Sequence, residues 1–138
     1  MLNQFNYFTE KELLRGWQVP EVFLKNIIPT ATILDYVRHM YGKPIIILST
    51  YRSPEYNRKV GGVKNSLHLV FNAIDFTVEN KKELRDLYYE LDRLDGISNK
   101  FTFLPKSTYN FGLGYYGNFI HFDTRSYLER KAPKRWYG

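Results

Sequence analysis

Apolar residues recur at helical spacing in the first third of the chain. Thr9 and Glu12 have the spacing of a capping box, which predicts a short helix starting there. Pro20 opens a second apolar stretch, and positions 31–41 are apolar on one helical face until Gly42 ends the pattern. We expect these helices to cover one side of a sheet.

Two further helices are predicted in the middle of the chain. Ser53 can cap a short helix that runs through about Val60. Asn80 can cap a longer one over 81–95, and Gly96 ends it. The apolar positions of the longer helix form one stripe, at Leu84, Leu87, Tyr88, Leu91 and Leu94. This stripe is expected to be buried in the core.

The remaining regular segments have strand patterns. Residues 45–48 form a continuous apolar run, typical of a strand buried on both faces. Residues 73–78 and 119–124 alternate between polar and apolar, and 112–117 are predicted to form a strand and tight turn before the latter. A strand at 101–104 is possible. The element order predicts an α+β domain with a mainly antiparallel sheet and helices packed on one face.

Alternation places reactive side chains on one face of two of these strands. Side chains two residues apart point the same way, so Asp75 leaves the core side that Ile74 and Phe76 occupy. By the same count, His121 and Asp123 share a face. Both strands therefore present groups that can bind a metal on one side and apolar side chains on the other.

These groups suggest a metal site. His68 precedes Asp75 by seven positions on a loop that leads into the strand, and His121 supplies a second imidazole. Two histidines and one carboxylate, with water in the fourth position, form the ligand set of an open catalytic zinc site. Cysteine is absent, so a metal must be held by nitrogen and oxygen. The third histidine, His39, is expected to be an ordinary helix residue.

Several motifs follow one another between residues 51 and 125. They are Tyr51-Arg52-Ser53-Pro54, Asn57, Gly61-Gly62, Ser66-x-His68, Ala73-x-Asp75, Gly112-Leu113-Gly114-Tyr115-Tyr116 and Phe119-Ile120-His121-x-Asp123-x-Arg125. In this order they resemble the zinc D-alanyl-D-alanine carboxypeptidase and endopeptidase family, peptidase family M15, and within it the small bacterial and phage branch. The resemblance implies a hedgehog/DD-peptidase-like fold carrying a zinc site. It also implies hydrolysis of D-amino-acid-containing peptide bonds in bacterial peptidoglycan, by a carboxypeptidase or an endolysin-type endopeptidase.

The resemblance also implies a role for Arg52, and the positions of Ser66 and Asp123 in the sequence suggest roles for these two residues. Arg52 is expected to bind a substrate carboxylate or polarise the scissile carbonyl; the alternative is a surface cation in an ion pair. Ser66 is expected to donate or accept hydrogen bonds in the loop or toward substrate, since no Ser-His-acid arrangement makes it a nucleophile. Asp123 is expected either to move protons during catalysis or to fix a histidine ring.

Two positions depart from the family's pattern. Much of the family has an acidic base three positions before the last histidine, where this chain has Asn118, which cannot take a proton. The family usually has glycine three positions after the first histidine, where this chain has Phe71, and a positive φ would strain phenylalanine. A non-catalytic binding or virion structural protein that retains the fold is therefore a second hypothesis.

Length and charge bear on domains and partners. The 138 residues, 43% of them apolar, suit one domain, with a helical part at 1–42, a motif-bearing core at 43–128 and a basic, aromatic tail at 129–138. The tail is expected either to dock on the body through Trp136 or to contact a partner. A net charge of +6 favours polyanionic partners, and bacterial wall polymers are polyanionic. A nucleic-acid-binding module is a weaker alternative, because no stacking-strand or finger motif supports it.

The sequence also suggests where the protein acts. The first residues lack the basic start and apolar run of a signal peptide, and no later stretch approaches a membrane span. We therefore expect synthesis in the cytoplasm and action on peptidoglycan at the cell wall. Delivery would then depend on another component, such as a phage holin or the virion itself.

Overall fold

The computed structural model describes residues 2–96 and 109–138, which fold as an α+β domain. The α-helices are α1 (Glu10–Leu14), α2 (Ile28–Tyr41), α3 (Pro54–Lys59) and α4 (Lys81–Leu94). The strands are β1 (Ile46–Ser49), β2 (Ala73–Thr77), β3 (Gly112–Tyr115), β4 (Ile120–Asp123) and β5 (Lys134–Tyr137). Three-ten helices at Glu21–Ile27, Leu67–Val70 and Arg125–Leu128 lie in the connections. The α+β fold class is confirmed; the possible strand at 101–104 lies outside the described residues.

The five strands form one sheet in the order β1-β2-β4-β3-β5. The first three pairings in that order are antiparallel, and β5 pairs parallel to β3. One row of register partners crosses all five strands: Ser49, Asp75, His121, Gly114 and Trp136. Because register partners in a sheet project on the same side, two of the predicted ligands lie next to each other on one face.

The opposite face of the sheet carries the hydrophobic core. The α4 stripe predicted from the sequence is buried there, together with apolar residues of α2 and the strands. The strand contribution comes from Ile47, Ile74, Phe76, Leu113, Ile120 and Phe122. The polar and apolar faces of β2 and β4 are thus assigned as their alternation predicted. Among the described helices, none has the length and apolar character required to cross a membrane.

Side chains cap the helices where the sequence placed them. Thr9 and Glu12 form a reciprocal capping box at the start of α1. Ser53 accepts from the Tyr56 N–H at α3, and Asn80 caps α4. Each cap supplies a partner for a backbone N–H that has none inside the helix.

The strand at 45–48 differs from its prediction. Ile46 and Leu48 are 46% and 42% exposed, whereas Ile47 is only 7% exposed. The expectation of burial on both faces is therefore wrong, because β1 lies at the edge of the sheet and packs on the core through one face only. The Arg15 side chain donates to the Ile47 carbonyl at 2.8 Å, which satisfies one acceptor of this edge.

Phe71 adopts the left-handed conformation that the sequence analysis associated with glycine. It ends the three-ten helix Leu67–Val70 with φ 60° and ψ 43°, and its side chain is fully buried. The left-handed region costs a non-glycine residue about 1–2 kcal/mol. Loss of a buried phenylalanine ring costs more, about 3–5 kcal/mol. Burial of the ring therefore outweighs the backbone strain at this position.

This comparison predicts opposite effects of glycine at two left-handed positions. Phe71→Gly should lower the free energy of unfolding by about 1–4 kcal/mol, because the lost ring outweighs the relieved strain. Glu129→Gly, at an exposed residue with φ 59°, should leave it unchanged or raise it by up to about 1 kcal/mol. Urea denaturation of both variants would measure this. Stabilisation by Phe71→Gly would show that strain, not packing, dominates at this loop.

Candidate metal centre

Three chain segments bring the predicted ligands together. His68 lies in the three-ten helix Leu67–Val70, Asp75 at the centre of β2 and His121 in β4. Asp75 and His121 are register partners, and one ligand atom from each of the three residues lies within 4.8 Å of the others. All three side chains are buried. The spacing fits a single metal ion held by two nitrogens and one oxygen.

His68 has a ring nitrogen oriented for a cation. Its Nδ1 lies 2.6 Å from the Thr50 carbonyl oxygen, which can only accept, so Nδ1 carries the hydrogen. Burial lowers the pKa of His68 and outweighs the opposing effect of Asp75, so the ring is neutral. Its Nε2 therefore presents a lone pair, which is buried without a hydrogen-bond partner and lies 3.1 Å from Asp75 Oδ1. A lone pair facing a carboxylate oxygen fits a metal ion between them.

Asp75 lies between the two histidines of the site. Its Oδ1 lies 3.0 Å from His121 Nδ1, in addition to the contact with His68, and its Oδ2 lies 3.4 Å from Arg52 Nη2. Burial alone would raise the pKa of this carboxyl group. The hydrogen bond from His121 and the positive charge of its ring instead hold the pKa of Asp75 well below its ordinary value, so it is ionised.

His121 lies between two carboxylates. Its Nδ1 faces Asp75, and its Nε2 lies 2.7 Å from Asp123 Oδ2. Burial would lower the pKa of His121, but the hydrogen bonds to Asp123 and Asp75 raise it to about 9. In the metal-free protein the ring therefore carries both protons at neutral pH. A divalent ion would take the place of the proton on Nδ1, while Nε2–H remains bonded to Asp123.

Asp123 has all its contacts within the protein. Its Oδ1 accepts from the Gly112 and Arg125 backbone N–H groups, both at 3.1 Å, and from Arg125 Nε at 2.9 Å. Its Oδ2 accepts from Arg125 Nη2 at 2.8 Å and from the His121 ring. The carboxylate is fully buried and lies on the side of His121 away from Asp75. Of the two roles expected from the sequence, this position favours orienting the ring.

Arg52 and Ser66 lie beside the ligands in the positions that the motifs indicated. Arg52 lines the cleft above the metal centre with its side chain 19% exposed, and it makes two long contacts, to Asp75 and to Asn57 Oδ1 at 3.3 Å. Weak internal contacts leave its guanidinium available to a ligand. Ser66 is buried, and its Oγ accepts from the His68 backbone N–H at 3.2 Å. Ser66 therefore holds the first ligand's backbone in place.

Asn118 and His39 lie away from the ligand set. Asn118 is exposed, and its carbonyl oxygen accepts from Thr77 Oγ1 at 2.7 Å. His39, as expected, lies in α2, where its Nδ1 is 2.7 Å from the Tyr7 hydroxyl. Of the three histidines, two therefore belong to the candidate centre.

Trp136 is a neighbour of the centre whose contacts the sequence did not reveal. Its indole ring lies 5.0 Å from the His121 ring, and its Nε1 donates to the Tyr116 hydroxyl at 2.7 Å. A Cβ at Gly114 would lie 2.3 Å from Trp136 Nε1, so glycine is needed for this approach. The tail thus docks on the body through Trp136, one of the two alternatives that the sequence left open. In the sequence near β3, the local sign of this close approach is glycine at every second residue, Gly112 and Gly114.

The ligand set predicts which histidine substitution removes the metal. His68→Ala should reduce bound divalent metal to well below the about one ion per chain expected for the wild type, because it removes one of three protein ligands. His39→Ala is the matched control and should retain full occupancy. Metal analysis after loading and dialysis would measure both, and added metal should raise the thermal midpoint of the control but not of His68→Ala. Equal occupancy in the two variants would rule out this centre.

Comparison with known proteins gives one family. A protein-family model described as Peptidase M15 matches residues 6–123, which include all three candidate ligands. The match ends before β5. Among curated proteins, none matches the chain.

Proposed function

Because the chain belongs to the peptidase M15 family, we propose that it is a zinc peptidase that hydrolyses D-amino-acid-containing peptide bonds of bacterial peptidoglycan. The family is one of metallopeptidases, which supports hydrolysis as the reaction. The observation that carries the proposal is the buried His68 Nε2 lone pair, which faces Asp75 and His121 with no hydrogen-bond partner. This arrangement lies at the base of an open cleft, where a peptide can enter.

The donor set supports zinc as the metal. Two imidazole nitrogens and one carboxylate oxygen suit Zn²⁺, and three protein ligands leave a coordination position open, as catalytic zinc sites require. When bound, such an ion lowers the pKa of water and polarises a carbonyl group. The protein's own contribution is to fix both rings: the Thr50 carbonyl holds His68, and Asp123 holds His121.

Arg52 is proposed to bind the substrate. Its guanidinium group lies beside Asp75 at the cleft, with only long contacts to the protein. A planar guanidinium can donate two parallel hydrogen bonds to a carboxylate, or one to a carbonyl oxygen that gains negative charge during hydrolysis. We assign Ser66 to the support of the loop through its bond to the His68 N–H, and substrate contact by Ser66 stays a prediction.

One observation favours a second candidate function, a non-catalytic binding or virion structural protein. Hydrolysis needs a group that moves a proton, and Asn118 cannot do so. Asp123 is buried and fully hydrogen-bonded, and in the described part of the chain Asp75 is the single carboxylate that lines the cleft. A protein with this site could bind the metal and the peptide without cutting it.

Digestion of purified sacculi distinguishes the two functions. The zinc-loaded protein should release peptide fragments, and a chelator or His68→Ala should abolish the release, because both remove the metal. Mass spectrometry of the fragments would identify the bond and decide between carboxypeptidase and endopeptidase action. Stoichiometric zinc without any release would favour the binding protein. We also propose that a phage holin or the virion delivers the protein to the wall. This part of the proposal applies only if the protein cleaves sacculi.

The role of Asp123 is testable by an isosteric substitution. Asp123→Asn should weaken zinc binding by about 10- to 100-fold, because His121 loses the carboxylate that orients its ring. Competition with a chromophoric chelator would measure the affinity, with circular dichroism as the check on folding. A proton-shuttle role predicts the reverse: unchanged zinc affinity with loss of hydrolysis.

A further inference from the structure

Four exposed cations line the cleft. Lys64, Arg130, Lys131 and Lys134 all line the cleft and are exposed; we call them the basic rim. Within residues 2–96 and 109–138, none of the four has a carboxylate partner. Lys43, by contrast, forms an ion pair with Glu83 elsewhere on the surface.

The basic rim is close to the metal centre. Lys134 Nζ lies 6.0 Å from the Trp136 ring centroid, and that ring lies 5.0 Å from the His121 ring. One aromatic ring therefore separates this ammonium group from a candidate ligand. A molecule bound at the metal centre could therefore also reach this part of the rim.

The two sides of the rim are joined across the cleft. Arg130 Nη1 donates to the Asn65 carbonyl at 3.2 Å, which ties the C-terminal segment to the loop that carries Lys64. Lys131 follows on the segment that leads into β5, and Lys134 is the first residue of β5. The cations therefore form part of a defined wall of the cleft and do not project from an unattached tail.

The charges deeper in the cleft do not cancel those of the rim. Arg52 contacts Asp75, and Arg125 is paired with Asp123, so the inner cations already face carboxylates. Asp75 is the single carboxylate among the described lining residues, and it is committed to the two histidines. A cleft lined mostly by one sign of charge concentrates its field and attracts groups of the opposite sign.

We infer that the basic rim binds free carboxylates of the peptide substrate, on residues that flank the bond at the metal centre. The inference rests on the proposed function for its choice of a peptidoglycan peptide as the ligand. The rim lines one cleft, so its ligand is the molecule that enters this cleft. Three of its four members lie after residue 123, outside the region that matches the family. Most of the rim is therefore a specificity feature that this chain's C-terminal segment contributes.

The test compares two double variants that remove the same charge. Lys131→Gln/Lys134→Gln changes the rim, and Lys25→Gln/Lys82→Gln changes two exposed lysines that do not line the cleft. The probes are disaccharide-peptides prepared from purified peptidoglycan, either native or with their carboxylates converted to amides. Isothermal titration on the full chain, with and without zinc, gives the dissociation constants.

The wild type should bind native fragments more tightly than amidated ones, and high salt should reduce the difference. The rim variant should lose about 2- to 30-fold in affinity for native fragments only, and the control variant should behave as wild type. Equal binding of the two probes, equal losses in the two variants or no binding by the wild type would overturn the inference. If the wild type cleaves sacculi and the rim variant binds native fragments as tightly as the wild type, the inference about the rim fails and the proposed peptidase function stands. If binding depends on the rim charges but sacculi are not cleaved, the proposed peptidase function fails and the inference about the rim stands.

Discussion

One carboxylate oxygen governs the arrangement of the candidate centre. Asp75 Oδ1 lies 3.1 Å from His68 Nε2 and 3.0 Å from His121 Nδ1, inside a buried layer of the protein. An ionised carboxylate is costly to bury unless positive charge or hydrogen bonds compensate it. The antiparallel pairing of β2 with β4 fixes two of these three side chains in adjacent positions. The Thr50 carbonyl, Ser66 and Asp123 hold the two histidines in this geometry.

The outer contacts determine what each imidazole can do. His68 donates to a backbone carbonyl, so its inner nitrogen is free to bind a metal. His121 is held by Asp123, which Arg125 holds in turn. Each ring is thus fixed by a group that takes no part in metal binding, an arrangement that orients ligands and raises their basicity. The same arrangement buries Asp123, so this carboxylate does not face the cleft, where it could transfer a proton during hydrolysis. The structure therefore supports metal binding more strongly than catalysis.

Two glycines on β3 let the site extend beyond its ligands. A side chain at Gly112 would collide with Asp123 and Arg125, and one at Gly114 would collide with Trp136. Because these two residues have no side chains, there is room for the ion pair of Asp123 with Arg125 and for the Trp136 indole. Since Trp136 belongs to β5, the same glycines allow the C-terminal segment to build a wall of the cleft. The three members of the basic rim that follow residue 123 reach the cleft by this packing.

The sequence by itself determined the α-helices, their caps, the alternating faces of β2 and β4, and the three candidate ligands. These features depend on residue types and on neighbours within a few positions, and that information is local. Tertiary structure alone decided that β1 is an exposed edge, that β5 joins the sheet and that Asp123 lies behind His121. Strand order and the partner of each buried oxygen depend on contacts between residues far apart in the chain. Phe71 shows where local preference fails. A phenylalanine ordinarily avoids positive φ, but the packing of its buried ring stabilises that conformation here.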